Sequence, residues 1–221
     1  AFEGEQPSTI NDFFDIEKFP GKRGVHTWGN GIVEMALYAS GVAIPDIYDV
    51  LDTQEGQDMV FAKLDTIKDS VVFWSAGAKP LDLVNSGEVS MSIAYNGRIG
   101  GAVLADGADY VTVWDGQVLE EEWLVLMNGA PNRAQAIHFL IHASSTQAQA
   151  DQAHWINYAP MRPSALPIME AGEPWCNTGA TIMEHMPTTD EHMKGGILAD
   201  PDWWADNGQA VSDRCAAWMA K

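Results

Sequence analysis

The sequence predicts an α/β fold built on a mainly parallel sheet. Short apolar or alternating runs recur through its first half: VVFW (71–74), VSMSIAY (89–95) and YVTVW (110–114). Between them lie helical patterns, with apolar residues three and four apart. Strands that alternate with helices in this order pair in parallel and leave the helices on the faces of the sheet.

The elements follow in order. STINDFFDI (8–16) reads as a short helix capped by Ser8 or Thr9, with Phe13, Phe14 and Ile16 packing inward. Pro20-Gly21 is a turn, and residues 24–27 form a short strand. Asn30 caps the next helix, whose Ile32, Val33, Ala36 and Leu37 share a face, and Gly41 ends it. Residues 52–68 make a second helix with Val60, Phe61, Leu64 and Ile67 on one side. VVFW is a buried strand, 78–86 a short helix, 89–95 a half-buried strand by its strict alternation, and 98–105 a helix. WLVLM (123–127) reads as one more strand. Pro131 then opens a helix through residue 144 with Ile137, Leu140 and Ile141 facing inward, followed by a helix near 145–155. The stretch 156–200 is rich in Pro, Gly and Met and reads as loops. A last helix over 201–220 places Trp204, Val211, Cys215 and Trp218 on one side.

Composition narrows the function classes. The 221 residues hold 31 acidic against 12 basic side chains, a net charge of −19. Such a surface repels nucleic acid and anionic membrane and suits cations, although solubility alone accounts for acidity too. No apolar run is long enough to cross a bilayer. The two cysteines, Cys176 and Cys215, form one disulfide or remain two buried thiols. Ala1 is not an initiator Met, and no basic segment leads into an apolar one. The chain is therefore expected to be processed or part of something longer.

Ligands of open α/β sheets lie beyond the carboxyl ends of the strands, beside helix N-termini. Three strand ends carry recognition chemistry. After Val25 come His26, Thr27, Trp28 and Asn30; after VVFW come Ser75, Ala76 and Gly77; after SMSIA come Tyr95, Asn96, Gly97 and Arg98. Aromatic faces and hydrogen-bonding groups of this kind suit a small organic molecule. Glu120, Glu121 and Glu122 precede the expected strand 123–127. Alternation along that strand sends Glu120 and Glu122 to one side, where two carboxylates can hold an ammonium group, and a solvated acidic loop is the alternative. His185, Asp190, Glu191 and His192 could gather a metal, but their spacing matches no standard ligand pattern. GxSxG, P-loop, HExxH and GxGxxG motifs are all missing.

Several segments, in this order, carry a resemblance. They are FFDIEKFPGKRG, FAKLDTIKDSVVFWSAGAKPLDLVNSGEVSMSIAYNGR, VTVWDGQVLEEEWLVLMNGAPN, INYAP and DPDWWADNG. Together they resemble the spermidine/putrescine-type solute-binding proteins of ABC transporters, the extracellular solute-binding family with the type II periplasmic fold. The resemblance implies a complete second lobe over 1–117, then a hinge return and the C-terminal part of the first lobe over 118–221. About a hundred residues of the first lobe would precede this sequence, supplied by a longer protein or by a separate chain.

The resemblance also implies a role. The protein would capture a small cationic or zwitterionic solute in a cleft, close on it, and deliver it to an ABC permease without a cofactor and without chemistry on the ligand. It would work in the periplasm after export, its signal peptide lying outside this chain. The family's cleft positions fall on Trp28, Ser75, Tyr95, Glu120, Glu122, Tyr158 and Trp204. Polyamine-specific members carry an acidic pair at the helix mouth after GKRG; here Trp28 and Gly31 stand there. Glu122 matches the family's acidic position in the hinge return. The expected ligand is thus a mono-amine, an amino-acid-like compound or an altered polyamine. EKFPGKRGVHTWGNGIVEMAL (17–37) would deliver a strand end to the cleft, with Trp28 and the helix mouth near Asn30 as one wall. The rival readings are a metal- or Cys-dependent enzyme using Cys176 or the 184–192 cluster, and a lobe fragment that binds nothing.

Overall fold

The computed structural model describes residues 2, 4–171, 179 and 181–220. In chain order its elements are α1 (Ile10–Phe14), β1 (Arg23–His26), α2 (Ile32–Ala39), α3 (Ile47–Leu51), α4 (Gln54–Asp65), β2 (Val71–Trp74), α5 (Lys79–Asn85) and β3 (Met91–Ser92). Then come α6 (Asn96–Asp106), β4 (Val118–Leu119), α7 (Arg133–Ala143), α8 (Thr146–Ala153), α9 (Leu166–Glu170), β5 (Ile197–Leu198) and α10 (Pro201–Met219). The chain divides into two compact units. The first is 1–95, 111–120 and 192–221; the second is 96–110 and 121–191.

In the first unit β1 lies between β2 and β3, parallel to both. Arg23 pairs with Val71 and with Met91, and His26 pairs with Trp74. All four residues of β1 are buried, as a central parallel strand requires. Gly24 belongs there because any side chain would collide with Ser92 of β3. Arg23, fully buried, donates through its guanidinium to the carbonyls of Phe13 at 2.7 Å, Phe19 at 2.6 Å and Gly21 at 2.8 Å. It thereby fastens α1 and the Pro20-Gly21 turn to the base of β1. Five fixed donors on one planar group allow this where lysine would not.

Helices α2 and α4 pack over the sheet. Val33, Leu37, Ile47, Leu51, Val60, Leu64 and Ile67 share one core with Val25, joined by Val211, Cys215 and Trp218 of α10. Helix α4 is capped by Thr53, whose hydroxyl accepts from the Gly56 N–H at 3.0 Å. Asp200 caps α10 by accepting from the N–H groups of Asp202 and Trp203, each at 3.0 Å. A cap of this kind stabilises a helix by about 1 kcal/mol. β4 and β5 form a separate parallel pair.

The second unit packs α8, α9 and neighbouring turns around Ala150, Ala153, Ala165, Met169, Ile182 and Met186. Asn157, 1% exposed, donates to the carbonyls of His185 at 2.8 Å and Asn96 at 3.2 Å.

Four sequence expectations need correction. Residues 110–114 form no strand, and the alternating run 89–95 pairs only at Met91–Ser92. Residues 123–127 also form no strand: the run has no ladder, and Trp123, Leu124, Val125 and Met127 are exposed. The alternation argument for Glu120 and Glu122 fails with it. On α7, Ile137 and Ile141 are exposed rather than inward, and the helix buries no residue. Apolar periodicity specifies a face; a strand or a buried face forms only where a partner covers it. Cys215 is buried and unbridged among the described residues, and Cys176 lies outside them.

Candidate functional site

The carboxyl end of the three-stranded sheet gathers aromatic rings in two tiers. His26 and Trp74 end the paired strands β1 and β2 and are 9% and 4% exposed. Above them stand Trp28, 60% exposed, and Tyr95, 40% exposed. The His26 ring meets Trp28 edge-on at 4.7 Å and Trp74 at 4.4 Å, and Trp74 meets Tyr95 at 6.1 Å. Edge-to-face packing of this kind fixes the rings' orientations while Trp28 and Tyr95 remain exposed.

The backbone fixes the upper tier. The Thr27 N–H donates to the Trp74 carbonyl at 2.9 Å, extending the β1–β2 ladder by one bond. The Trp28 N–H donates to His26 Nδ1 at 2.9 Å. Next, Gly29 approaches α10 so closely that an added Cβ would lie 2.9 Å from Val211 and 3.0 Å from Cys215. Gly31 then takes φ +84°, a left-handed conformation that glycine adopts freely, and opens α2. Burial lowers the affinity of His26 for a second proton, against a bond to the Ser75 main chain and the charge of Glu120.

The mouth of α2 is polar. Asn30 Nδ2 donates to Glu120 Oε1 at 2.6 Å, which holds an exposed carboxylate beside the strand ends. Beneath it Glu34 is fully buried. Its carboxylate accepts from the Gly31 N–H at 2.9 Å, the Tyr48 hydroxyl at 2.9 Å and the Trp204 indole N–H at 2.7 Å. Burial raises its proton affinity, partly offset by these donors. The site combines exposed aromatic rings with a carboxylate. A Trp face attracts a cation by about 0.5–2 kcal/mol, so the set can recognise a small ammonium compound.

Of the residues singled out in the sequence, Trp28, Ser75, Tyr95 and Glu120 belong to this site, with Ser75 exposed at the end of β2. Trp204 lies in the same unit, but its indole N–H is committed to Glu34 and its ring lies 3.8 Å from where a Gly29 Cβ would stand. Glu122 and Tyr158 belong to the second unit. Glu122 is exposed; Tyr158 is 37% exposed and packs where a Gly97 Cβ would sit. Sequence reasoning missed Glu34 and the lower-tier role of Trp74. No local signature marks the first: a capping box needs a side-chain oxygen at the N-cap, and Gly31 has none. In the 184–192 cluster, the His192 ring stacks on Trp114 at 4.3 Å. No group of metal-ligating side chains gathers among the described residues.

Known proteins resemble this chain closely. A family model described as bacterial extracellular solute-binding protein matches residues 1–181. The gamma-aminobutyric acid-binding protein of Pseudomonas aeruginosa is 35% identical over 215 residues, 97% of this chain and 58% of that protein. An ABC transporter substrate-binding protein from Bradyrhizobium japonicum USDA 110 superposes with a TM-score of 0.82 at 31% identity, over 98% of this chain and 64% of the other. The PBP MotA from A. tumefaciens B6, solved in complex with glucopine, gives 0.79 at 29% identity, over 96% of this chain and 64% of the other. The chain spans less than two thirds of the length of these relatives. Over that span it has the α/β fold of periplasmic binding proteins, and the relatives are receptors, not enzymes.

Proposed function

Because the chain belongs to the bacterial extracellular solute-binding proteins, we propose that it serves an ABC importer by holding a small solute with both an ammonium and a carboxylate group. The observation that carries this is the pairing of open Trp28 and Tyr95 faces with the Asn30-held carboxylate of Glu120 at one strand edge. The rings and Glu120 suit the ammonium end. The N–H groups at the mouth of α2 are already taken, that of Gly31 by Glu34 and that of Val33 by the Gly29 carbonyl, so the exposed Ser75 at the end of β2 is the group that suits the carboxylate. A zwitterion such as gamma-aminobutyric acid satisfies both ends. A polyamine fits less well: Trp28 and Gly31 occupy the helix-mouth places where a second acidic anchor would stand.

Membership also supports a periplasmic location and delivery to a permease, and no helix among the described residues is long and apolar enough to cross a membrane. The lobe division at 117/118, a further chain or segment completing the first lobe, and roles for Glu122 and Tyr158 rest on the family resemblance. Trp204 acts in this reading by fixing Glu34, and through it the Gly31 turn.

Calorimetric titration with gamma-aminobutyric acid, putrescine and spermidine tests the reading. Saturable binding of the amino acid, tighter than that of either polyamine and weakened by Glu120→Gln, is expected. Tighter polyamine binding would overturn the ligand class.

A further inference from the structure

We propose that His26 is the positioning residue of this site: its neutral imidazole accepts from the Trp28 main chain while its ring packs against Trp28 and Trp74, and so sets where the Trp28 face stands. The inference rests on the functional reading of the strand edge given above, and it names the group that holds that edge in shape.

The geometry gives the ring one arrangement. Nδ1 accepts the Trp28 N–H at 2.9 Å, so it carries no proton. A neutral imidazole with a bare Nδ1 carries its proton on Nε2. Trp28 and Trp74 pack edge-on against the ring at 4.7 and 4.4 Å, so it cannot turn over without displacing one of them. His26 is the last residue of the central strand and pairs with Trp74, so it stands where the turns after β1 and β2 begin. Both turns carry candidate ligand contacts, Trp28 and Ser75. Glu120 is the charged group that acts on the ring. A second proton would go to Nδ1, turn it toward the Trp28 N–H as a donor facing a donor, and release the turn.

Two variants separate the clasp from mere packing. In His26→Asn the side-chain oxygen stands near the place of Nδ1 and can accept the Trp28 N–H; in His26→Phe a ring of similar size remains but no acceptor does. Hydrogen exchange on the whole chain should show the Trp28 amide protected in the parent and in His26→Asn, and exposed in His26→Phe. Gamma-aminobutyric acid should bind His26→Asn within a few-fold of the parent and His26→Phe about tenfold more weakly, equivalent to about 1.4 kcal/mol. Long-range ¹⁵N correlation of the ring should show one neutral tautomer with an unprotonated Nδ1 at pH 7. A protonated Nδ1, or Trp28 exchange that is alike in the two variants, would overturn the proposal. If the parent takes up no gamma-aminobutyric acid, the functional reading fails, while the tautomer and the Trp28 exchange still decide the clasp.

Discussion

Two regions of the molecule expose large apolar side chains, and they do so in different company. At the strand edge of the first unit, Trp28 and Tyr95 stand open on a buried tier of His26 and Trp74, with Glu120 held alongside by Asn30. Along 121–143 of the second unit, Trp123, Leu124, Val125, Met127, Phe139 and Ile141 are 59–70% exposed, on an unladdered run and on a helix that buries nothing. The first arrangement is supported from beneath and carries polar groups beside its exposed rings. The second has apolar area without a floor of buried rings. Exposure of aromatic and aliphatic groups marks recognition only where directional partners accompany it; alone it marks surface that associates with other apolar surface.

Breaking the support of the strand edge should have the largest effect. Glu34→Ala leaves three buried donors, the Gly31 N–H, the Tyr48 hydroxyl and the Trp204 indole N–H, without their acceptor. Denaturant unfolding should show a loss of about 3 kcal/mol, with solute binding lost as well.

Removing an open face should cost binding and spare the fold. Trp28→Ala should weaken gamma-aminobutyric acid by about tenfold or more in calorimetry, since cation–π contact and buried aromatic area both go. The unfolding midpoint should change little, because the side chain is 60% exposed.

The opposite substitution sharpens the contrast. Val125→Lys or Ile141→Lys should leave binding at the first unit unchanged and alter stability by no more than about 0.5 kcal/mol. Either should reduce self-association of the chain, read by sedimentation, and reduce uptake of an apolar dye.

Acidity should give the smallest effect. His26 binds its second proton less readily in the fold than its ordinary value of 6.5 implies, so the unfolded chain takes up more protons as pH falls through that value. Its contribution to stability is complete above pH 6.5 and is lost as pH falls toward the depressed value of the folded state. The difference between the parent and His26→Asn isolates this slope. Glu34, raised by burial above its ordinary 4.5, favours the fold in acid and so works with the opposite sign.

Much of the first unit was legible in the sequence. The β1 run and the apolar faces of α2, α4 and α10 lie where periodicity puts them, because each finds a partner within the chain; VVFW forms its strand, but at the sheet's edge, with Phe73 exposed and only Trp74 buried rather than the whole run. Parallel order also puts Trp28, Ser75 and Tyr95 just past the carboxyl ends of the strands, whereas Glu120 was reached by an alternation that the structure lacks, and it is Asn30 that holds it there. WLVLM reads as a strand equally well but forms none, since no neighbouring strand offers it a ladder among the described residues. Ile137 and Ile141 show the helical version of that failure. Glu34 stayed hidden because a buried carboxylate among Val33, Met35 and Ala36 breaks the apolar pattern that reveals a core face. Its role depends on donors from Tyr48 and Trp204, far away in sequence, which no local pattern joins. The clasp of His26 was likewise invisible until the register of β1 on β2 set its ring between Trp28 and Trp74.

The nine tryptophans give the most direct test, since each indole N–H can be followed by NMR during titration with gamma-aminobutyric acid. The account predicts saturable shifts of Trp28 and Trp74 at the strand edge, with Trp123 unmoved. Shifts of Trp123 while Trp28 stays still would contradict it and move recognition to the other apolar region.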